Sequence, residues 1–328
     1  MSMTQSLTII MYHYVRELPF TRYPAIKGLL ASHFSEQVAY LQKYYTFVTV
    51  ADLNSALRRE TNLPVNACLL TFDDGYIDHY TTVFPILEEA GIQGCFFPPA
   101  KPVLSNSVLN VNKIHFTLAA ANEKIEALIN DVRMSLDRYR SEFKLKSNDY
   151  YFSKLAIGNR FDSRREVIFI KRLLLELQED VSNLICNELF QKYVTFDEIT
   201  FAKEIYMDVN QLKCMSRNGM YVGSHGNNHC WLDTLSPEQQ ELEIDESLKF
   251  LKLVNAPTED WIMCYPYGAY NESLIEILKK KGCSIGLTTQ VGIANLFENN
   301  AYALERLDTN DLPCAADAEP NSWTQKIL

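Results

Sequence analysis

The sequence predicts an α/β fold, a parallel sheet of the barrel kind, with an all-helical insertion near its middle. Three observations carry this. Apolar runs of strand length alternate with helical-period segments on either side of the chain's centre, and alternating β and α units imply a parallel sheet. Several of those runs stop at chemistry-bearing residues, as in a barrel whose loops converge at the C-terminal ends of its strands. Between residues 104 and 207 the alternation gives way to helical stripes alone. The expected units are a discontinuous barrel, 1–103 with 208–328, and a helical insertion, 104–207.

Taken in order, Leu7-Thr8-Ile9-Ile10-Met11-Tyr12-His13-Tyr14-Val15 is apolar and β-branched enough for a buried first strand. The spacing of Phe34, Val38 and Leu41 predicts a helix over 33–44, and Phe47-Val48-Thr49-Val50 a short strand. A helix over 51–59 precedes the strand 67–72, and another over 78–90 stops at Gly91 before Cys95-Phe96-Phe97, which Pro98-Pro99 closes. In the insertion Ile125, Leu128, Ile129, Val132 and Leu136 form one stripe, and 167–190 is rich in Leu, Glu and Lys. The insertion reads as a lid, a substrate-binding wall or a dimer surface, or equally as a solubilised outgrowth. Past it come a helix over 209–217 and the strand Tyr221-Val222. A long helix follows, capped by Ser236-Pro237, with Ile244, Leu248 and Leu251 on one face. The strand 261–264, a helix over 272–281 ended by Gly282, and the strand 284–288 complete the repeat.

At 328 residues, 47% hydrophobic and 22% charged, the chain can bury a large core. Its net charge of −10 argues against nucleic acid or an anionic membrane surface as the main partner. The eight cysteines include no C-x-x-C pair, and Cys68, Cys95 and Cys283 sit in apolar segments, which suits a reducing compartment. The first six residues lack a basic signal region, and no run reaches the ~18 apolar residues of a membrane span. A cytoplasmic location is the expectation; oligomeric state is not legible.

Three clusters carry chemistry. Leu69-Leu70-Thr71-Phe72 runs into Asp73-Asp74-Gly75, where adjacent carboxylates can converge only if the chain turns, and Gly75 is the residue to turn it. Crowded carboxylates ask for a metal or a shared proton between them, although Asp-Asp-Gly also serves as a plain turn or helix cap. After Met220-Tyr221-Val222 comes Gly223-Ser224-His225-Gly226-Asn227-Asn228-His229, with two imidazoles spaced to face one side. Two His with one Asp would make a facial triad with open positions. The third cluster is Cys264-Tyr265-Pro266-Tyr267-Gly268, again at a strand's end.

In that order Thr71-Phe72-Asp73-Asp74-Gly75, His225-Gly226-Asn227-Asn228-His229 and Tyr265-Pro266-Tyr267-Gly268 resemble the first three motifs of the polysaccharide deacetylases, the NodB-homology domain of the family 4 carbohydrate esterases. The resemblance covers 7–100 and about 208–311, not the insertion. It implies a distorted (β/α)7 barrel, TIM-like in plan. It implies a divalent metal, Zn2+ before Co2+, Ni2+ or Fe2+, held by Asp74, His225 and His229, with Asp73 as the base. Tyr265, Pro266 and Tyr267 would line the acyl pocket, the Tyr267 backbone N–H completing an oxyanion site. Trp231, two residues past His229, is preferred over Tyr14, Tyr76 and Tyr270 as an aromatic surface for sugar.

Two departures stand out. The family's arginine two residues before Pro266 is Cys264 here; Arg306 could supply that charge and contact substrate, or could be a surface ion pair. No Leu-x-x-His follows Tyr267, and the histidines lie only at 13, 33, 79, 115, 225 and 229. His13, closing the first strand, is the substitute acid or else a buried structural histidine; His115 is a weaker candidate. The expected function is a hydrolase of linear amides that removes an N-acetyl or related N-acyl group from an amino sugar, the partner being a carbohydrate of surface-polysaccharide assembly. Two alternatives stay open: hydrolysis of small cyclic amides or ureides, and non-catalytic sugar binding.

Overall fold

The computed structural model describes residues 5–158, 164–297 and 300–328. The chain forms two compact units, one of Met1–Glu17, Gly28–Ser107 and Ala202–Leu328, the other of Leu18–Lys27 and Val108–Phe201. Patterning assigned Leu18–Lys27 to the barrel, but Tyr23 packs edge-on against Phe116 and Phe201, at 5.2 and 5.9 Å, and that aromatic contact ties the segment to the helices.

The barrel unit is organised on seven strands: β1 Ser6–Tyr12, β2 Ala67–Asp73, β3 Gly94–Phe97, β4 Tyr221–Val222, β5 Trp261–Cys264, β6 Cys283–Val291 and β7 Leu304–Asp308. They lie in the order β4-β3-β2-β1-β7-β6-β5, every neighbouring pair parallel. The two ends meet through Ser224, whose N–H donates to the Ile262 carbonyl and whose carbonyl accepts from the Cys264 N–H. Strands covered on both faces read as continuous apolar runs, and β2 is buried at every residue.

The period of two sorts these strands. One face of β2 presents Phe72, stacked between Tyr12 and Phe96 at 5.1 and 4.8 Å, within a core shared with Phe34, Val38 and Leu41 of the helix Ala31–Tyr44. The other face runs Leu69, Thr71, Asp73. Leu69 joins Leu7, Ile9, Phe97, Ile262, Ile285, Leu287 and Leu304 in a second core. Asp73, Cys264 and Arg306 are thus the next polar step above a greasy interior, each in phase with the apolar residue two or four positions before it.

Four details differ from the sequence reading, one being that the strand read over Phe47–Val50 is Thr46–Phe47, with Val50 opening the helix Val50–Leu57. The first strand ends at Tyr12, and Val15–Arg16 pairs separately with Leu29–Leu30. The helix over 78–90 opens with a wide turn, His79–Val83, before Phe84–Ala90. The strand β7 was not foreseen, because Leu-Glu-Arg-Leu-Asp lacks an apolar run.

The second unit is helical, with Leu128, Val132, Leu136, Phe169, Leu173, Val181 and Ile185 in its core. Among the described residues no helix is long and apolar enough to cross a membrane.

Candidate metal and acyl-hydrolysis site

Asp73 is the last residue of β2 and points into the barrel's mouth. Arg306 of β7 grips it with both arms of its fork, Nη1 donating to Oδ1 at 2.9 Å and Nη2 to Oδ2 at 2.8 Å. The guanidinium is itself held, Nε donating to the Thr288 carbonyl and Nη1 also to Thr71 Oγ1. The Cys264 thiol donates to the same Oδ1 at 3.3 Å. Burial pushes the Asp73 carboxyl up, but Arg306 outweighs it and brings the group down to about 2. Arg306 is buried, so the surface ion pair is excluded. Its substrate-binding role is corrected as well, because the side chain is buried and turned onto Asp73, Thr71 and Thr288.

Asp74 turns away from the strand. The reversal starts at this residue, with φ of 71° at Asp74 and 69° at Gly75, one position earlier than the sequence suggested. Its Oδ2 accepts from the Tyr76 hydroxyl at 2.6 Å. Its Oδ1 is buried and faces two ring nitrogens, Nε2 of His225 at 3.4 Å and Nε2 of His229 at 3.1 Å, neither approach having hydrogen-bond geometry. Burial raises this carboxyl too, and the two imidazoles overcome it and hold it well below the usual carboxylate range.

The histidine loop is built to converge there. His225 Nδ1 lies 2.7 Å from the Cys264 carbonyl, which can only accept, so in the neutral ring Nε2 carries the lone pair that faces Asp74. His229 sits at φ 52° and Gly226 at 73°, a tight path fixed by Glu243, whose Oε2 accepts from the backbone N–H groups of Asn227 and Asn228 at 3.1 and 2.9 Å. The first N–H groups of the helix Ala100–Ser105 donate to the Gly226 and Asn227 carbonyls. One ligand atom from each of Asp74, His225 and His229 lies within 4.8 Å of the others. A buried carboxylate oxygen and two ring nitrogens that converge without hydrogen-bond geometry are a donor set that fits a cation.

Beside His229, the Tyr267 ring meets the imidazole edge-on at 4.7 Å and stacks on Trp231 at 4.7 Å with planes 6° apart. Tyr267 is left-handed, φ 59°, within the turn Pro266–Gly268. Trp231 is 39% exposed. Tyr265 is corrected: its side chain is fully buried, stacked on Tyr270, with its hydroxyl donating to the Tyr302 carbonyl, so it supports the turn rather than lining a pocket. Pro266 is also buried and serves the same turn. Tyr14 and Tyr76 are buried and offer no face to a sugar.

His13 follows β1 and is half-buried; its carbonyl accepts from His79 Nε2 at 2.8 Å. His115 lies in the helical unit, in Asn110–Ala120. Sequence reasoning missed Tyr76 and Glu243 as supports. A signal for the second existed: Gln240, Glu243 and Ser247, all buried, make a polar stripe at helical spacing in Pro237–Leu253.

The sequence profile of the polysaccharide deacetylases matches residues 191–286, which holds the histidine loop and the Tyr265–Gly268 turn. Over that segment the chain is similar to the polysaccharide deacetylases. It is 34% identical over 103 residues to YxkH of Bacillus subtilis (strain 168), 31% of this chain and 36% of that one. It is 47% identical over 58 residues to the poly-beta-1,6-N-acetyl-D-glucosamine N-deacetylase of Escherichia coli (strain K12), 17% of this chain and 9% of that enzyme. It thus spans only about a third of the first relative's length and about a tenth of the second's. The same fold occurs in the deacetylase PplD of Streptococcus pyogenes, solved with acetate, at TM-score 0.56 and 18% identity over 93% of this chain and 92% of that one. It occurs again in IcaB from Ammonifex degensii, at TM-score 0.54 and 19% identity over 98% and 96%. The aspartate-bearing strand lies outside the matched segment and joins the histidines only through the fold.

Proposed function

We propose that the chain is a divalent-metal-dependent hydrolase that removes an N-acetyl, or related N-acyl, group from an amino sugar of a glycan or surface-polysaccharide precursor. The observation that carries the proposal is the juxtaposition of a firmly held carboxylate, Asp73, with a buried Asp74 Oδ1 that two imidazoles face without bonding. The E. coli relative's name supports an N-acetylated hexosamine polymer as the substrate class. Cys68, Cys95, Cys264 and Cys283 are buried as thiols in the barrel unit, which suits a reducing, cytoplasmic setting.

Asp74, His225 and His229 would hold the metal, which when bound polarises the acyl oxygen and acidifies water. Zn2+, Co2+, Ni2+ and Fe2+ all suit two imidazoles and one carboxylate. Asp73, ionised throughout the physiological range, takes the proton from the attacking water. So low a value makes it a weak base, and what Arg306 contributes is orientation and constant availability. The Tyr267 backbone N–H completes the oxyanion site, the Trp231 and Tyr267 rings form a wall for the sugar, and His13 delivers the proton to the departing amine. The competing reading, a sugar-binding chain without turnover, is disfavoured because a binding module has no use for a carboxylate oriented by a buried guanidinium.

Metal analysis combined with an acetate-release assay on N-acetylglucosamine oligomers tests the proposal. Chelation should abolish acetate release and Zn2+ or Co2+ should restore it. Turnover that survives complete metal removal, or sugar binding with no product after long incubation, would overturn it.

A further inference from the structure

We propose that Tyr76 is a positioning residue that sets the metal affinity of the site by reserving one oxygen of Asp74; this rests on the metal-site reading above. The hydroxyl donates to Asp74 Oδ2 at 2.6 Å, and both groups are buried. With Oδ2 occupied, Oδ1 is the atom left to face His225 and His229. Asp74 needs such a partner because it stands in a left-handed turn, φ 71°, with no strand pairing to fix its carboxylate.

Tyr76 is in turn held by its rings. It stacks on Tyr14 with centroids 3.9 Å apart and planes 20° apart, and on Tyr206 at 6.2 Å and 10°. The Arg16 guanidinium lies 4.7 Å over the other partner ring, Tyr14, and is anchored to Asp78 at 2.6 Å. Tyr14 and Arg16 come from the segment after β1, Tyr76 and Asp78 from the one after β2. The stack therefore fixes the phenol from outside the turn that it steadies. Oxygens and nitrogens that support a metal ligand from behind are worth about 10- to 100-fold in affinity.

The test titrates the metal-free full chain with Zn2+ by calorimetry and with Co2+ by visible absorption. The wild type and Asp74→Ala decide the metal-site reading itself: binding in the first and its loss in the second uphold it. Tyr76→Phe, which keeps the stacked ring and removes the hydroxyl, is expected to weaken Zn2+ binding by about 10- to 100-fold and to alter the Co2+ spectrum, because Oδ2 becomes available. A packing role alone would leave that spectrum unchanged. Should Tyr76→Phe not fold, Tyr14→Leu keeps the hydroxyl but removes the ring beneath it, and is expected to weaken binding by a smaller factor. Wild-type Zn2+ affinity and an unaltered Co2+ spectrum in whichever of these variants folds, with Asp74→Ala still metal-free, would overturn the role of Tyr76 alone.

Discussion

The two aspartates differ by one position and by almost everything else. Asp73 ends a regular strand, points inward by the period of the sheet, and has each oxygen matched to a donor on Arg306. Asp74 sits in a left-handed turn and leaves Oδ1 facing two nitrogens with no hydrogen bond made. One carboxylate has both oxygens engaged by the protein, and the other keeps one oxygen without a hydrogen bond, the one proposed to meet a cation. Adjacent residues can take such different work because the chain reverses between them: the strand delivers the first to the barrel interior, and the turn swings the second towards the histidine loop. What separates the proposed base from the proposed ligand is therefore which element ends where, not residue type.

Asp73→Asn should break that division most severely. It keeps the shape and removes the proton acceptor, so acetate release should fall by about 10²- to 10⁴-fold while stoichiometric metal binding persists. Loss of metal in this variant would mean that the two carboxylates share the ion. Arg306→Met comes next. It leaves Asp73 buried and unpaired, costing about 3–5 kcal/mol of stability by chemical denaturation. The surviving enzyme should also lose activity at a higher pH on the acid limb, since the main pull that opposes burial of the carboxyl is then gone. A double variant that adds Cys264→Arg should regain part of both losses if charge at that corner is what matters.

The wall behind both carboxylates gives a smaller effect. Burial brings His79 down to about 4 from its ordinary 6.5. The unfolded chain therefore takes up a proton before the folded one as pH falls. Stability should decline from about pH 6.5 to about pH 4 and level off below, by up to about 3 kcal/mol. Urea midpoints across that range check this, and His79→Gln, which still offers the His13 carbonyl a donor, should remove the slope. Trp231→Ala should cost least. Losing a half-exposed ring from the sugar wall is worth about 1 kcal/mol, a several-fold rise in KM at unchanged kcat; a fall in kcat alone would move Trp231 from substrate binding to support of Tyr267.

Much of this was legible in one dimension because the site elements end apolar runs. Leu69–Phe72, Met220–Val222 and Ile262–Cys264 could be read as strands, and what followed each had to lie at a strand's C-terminal end. The strand β7 could not be read that way, since Leu-Glu-Arg-Leu-Asp carries charge on a face that the barrel buries. The charge that makes Arg306 look like a surface residue is what Asp73 required. Tyr76, Glu243 and Tyr265 were likewise invisible or misplaced, because a buried tyrosine and a stacking tyrosine are the same letter until their neighbours are known.

By itself the sequence determined the alternation of strands and helices, the helical insertion and the residue types that gather at three strand ends, because periodicity and local turn chemistry are properties of neighbouring residues. Only the tertiary structure decided that Arg306, 233 positions from Asp73, grips it from the last strand, that Tyr76 bonds Asp74 and that Glu243 holds the histidine loop. Those are contacts between remote segments, and no local pattern encodes the separation across a barrel's mouth.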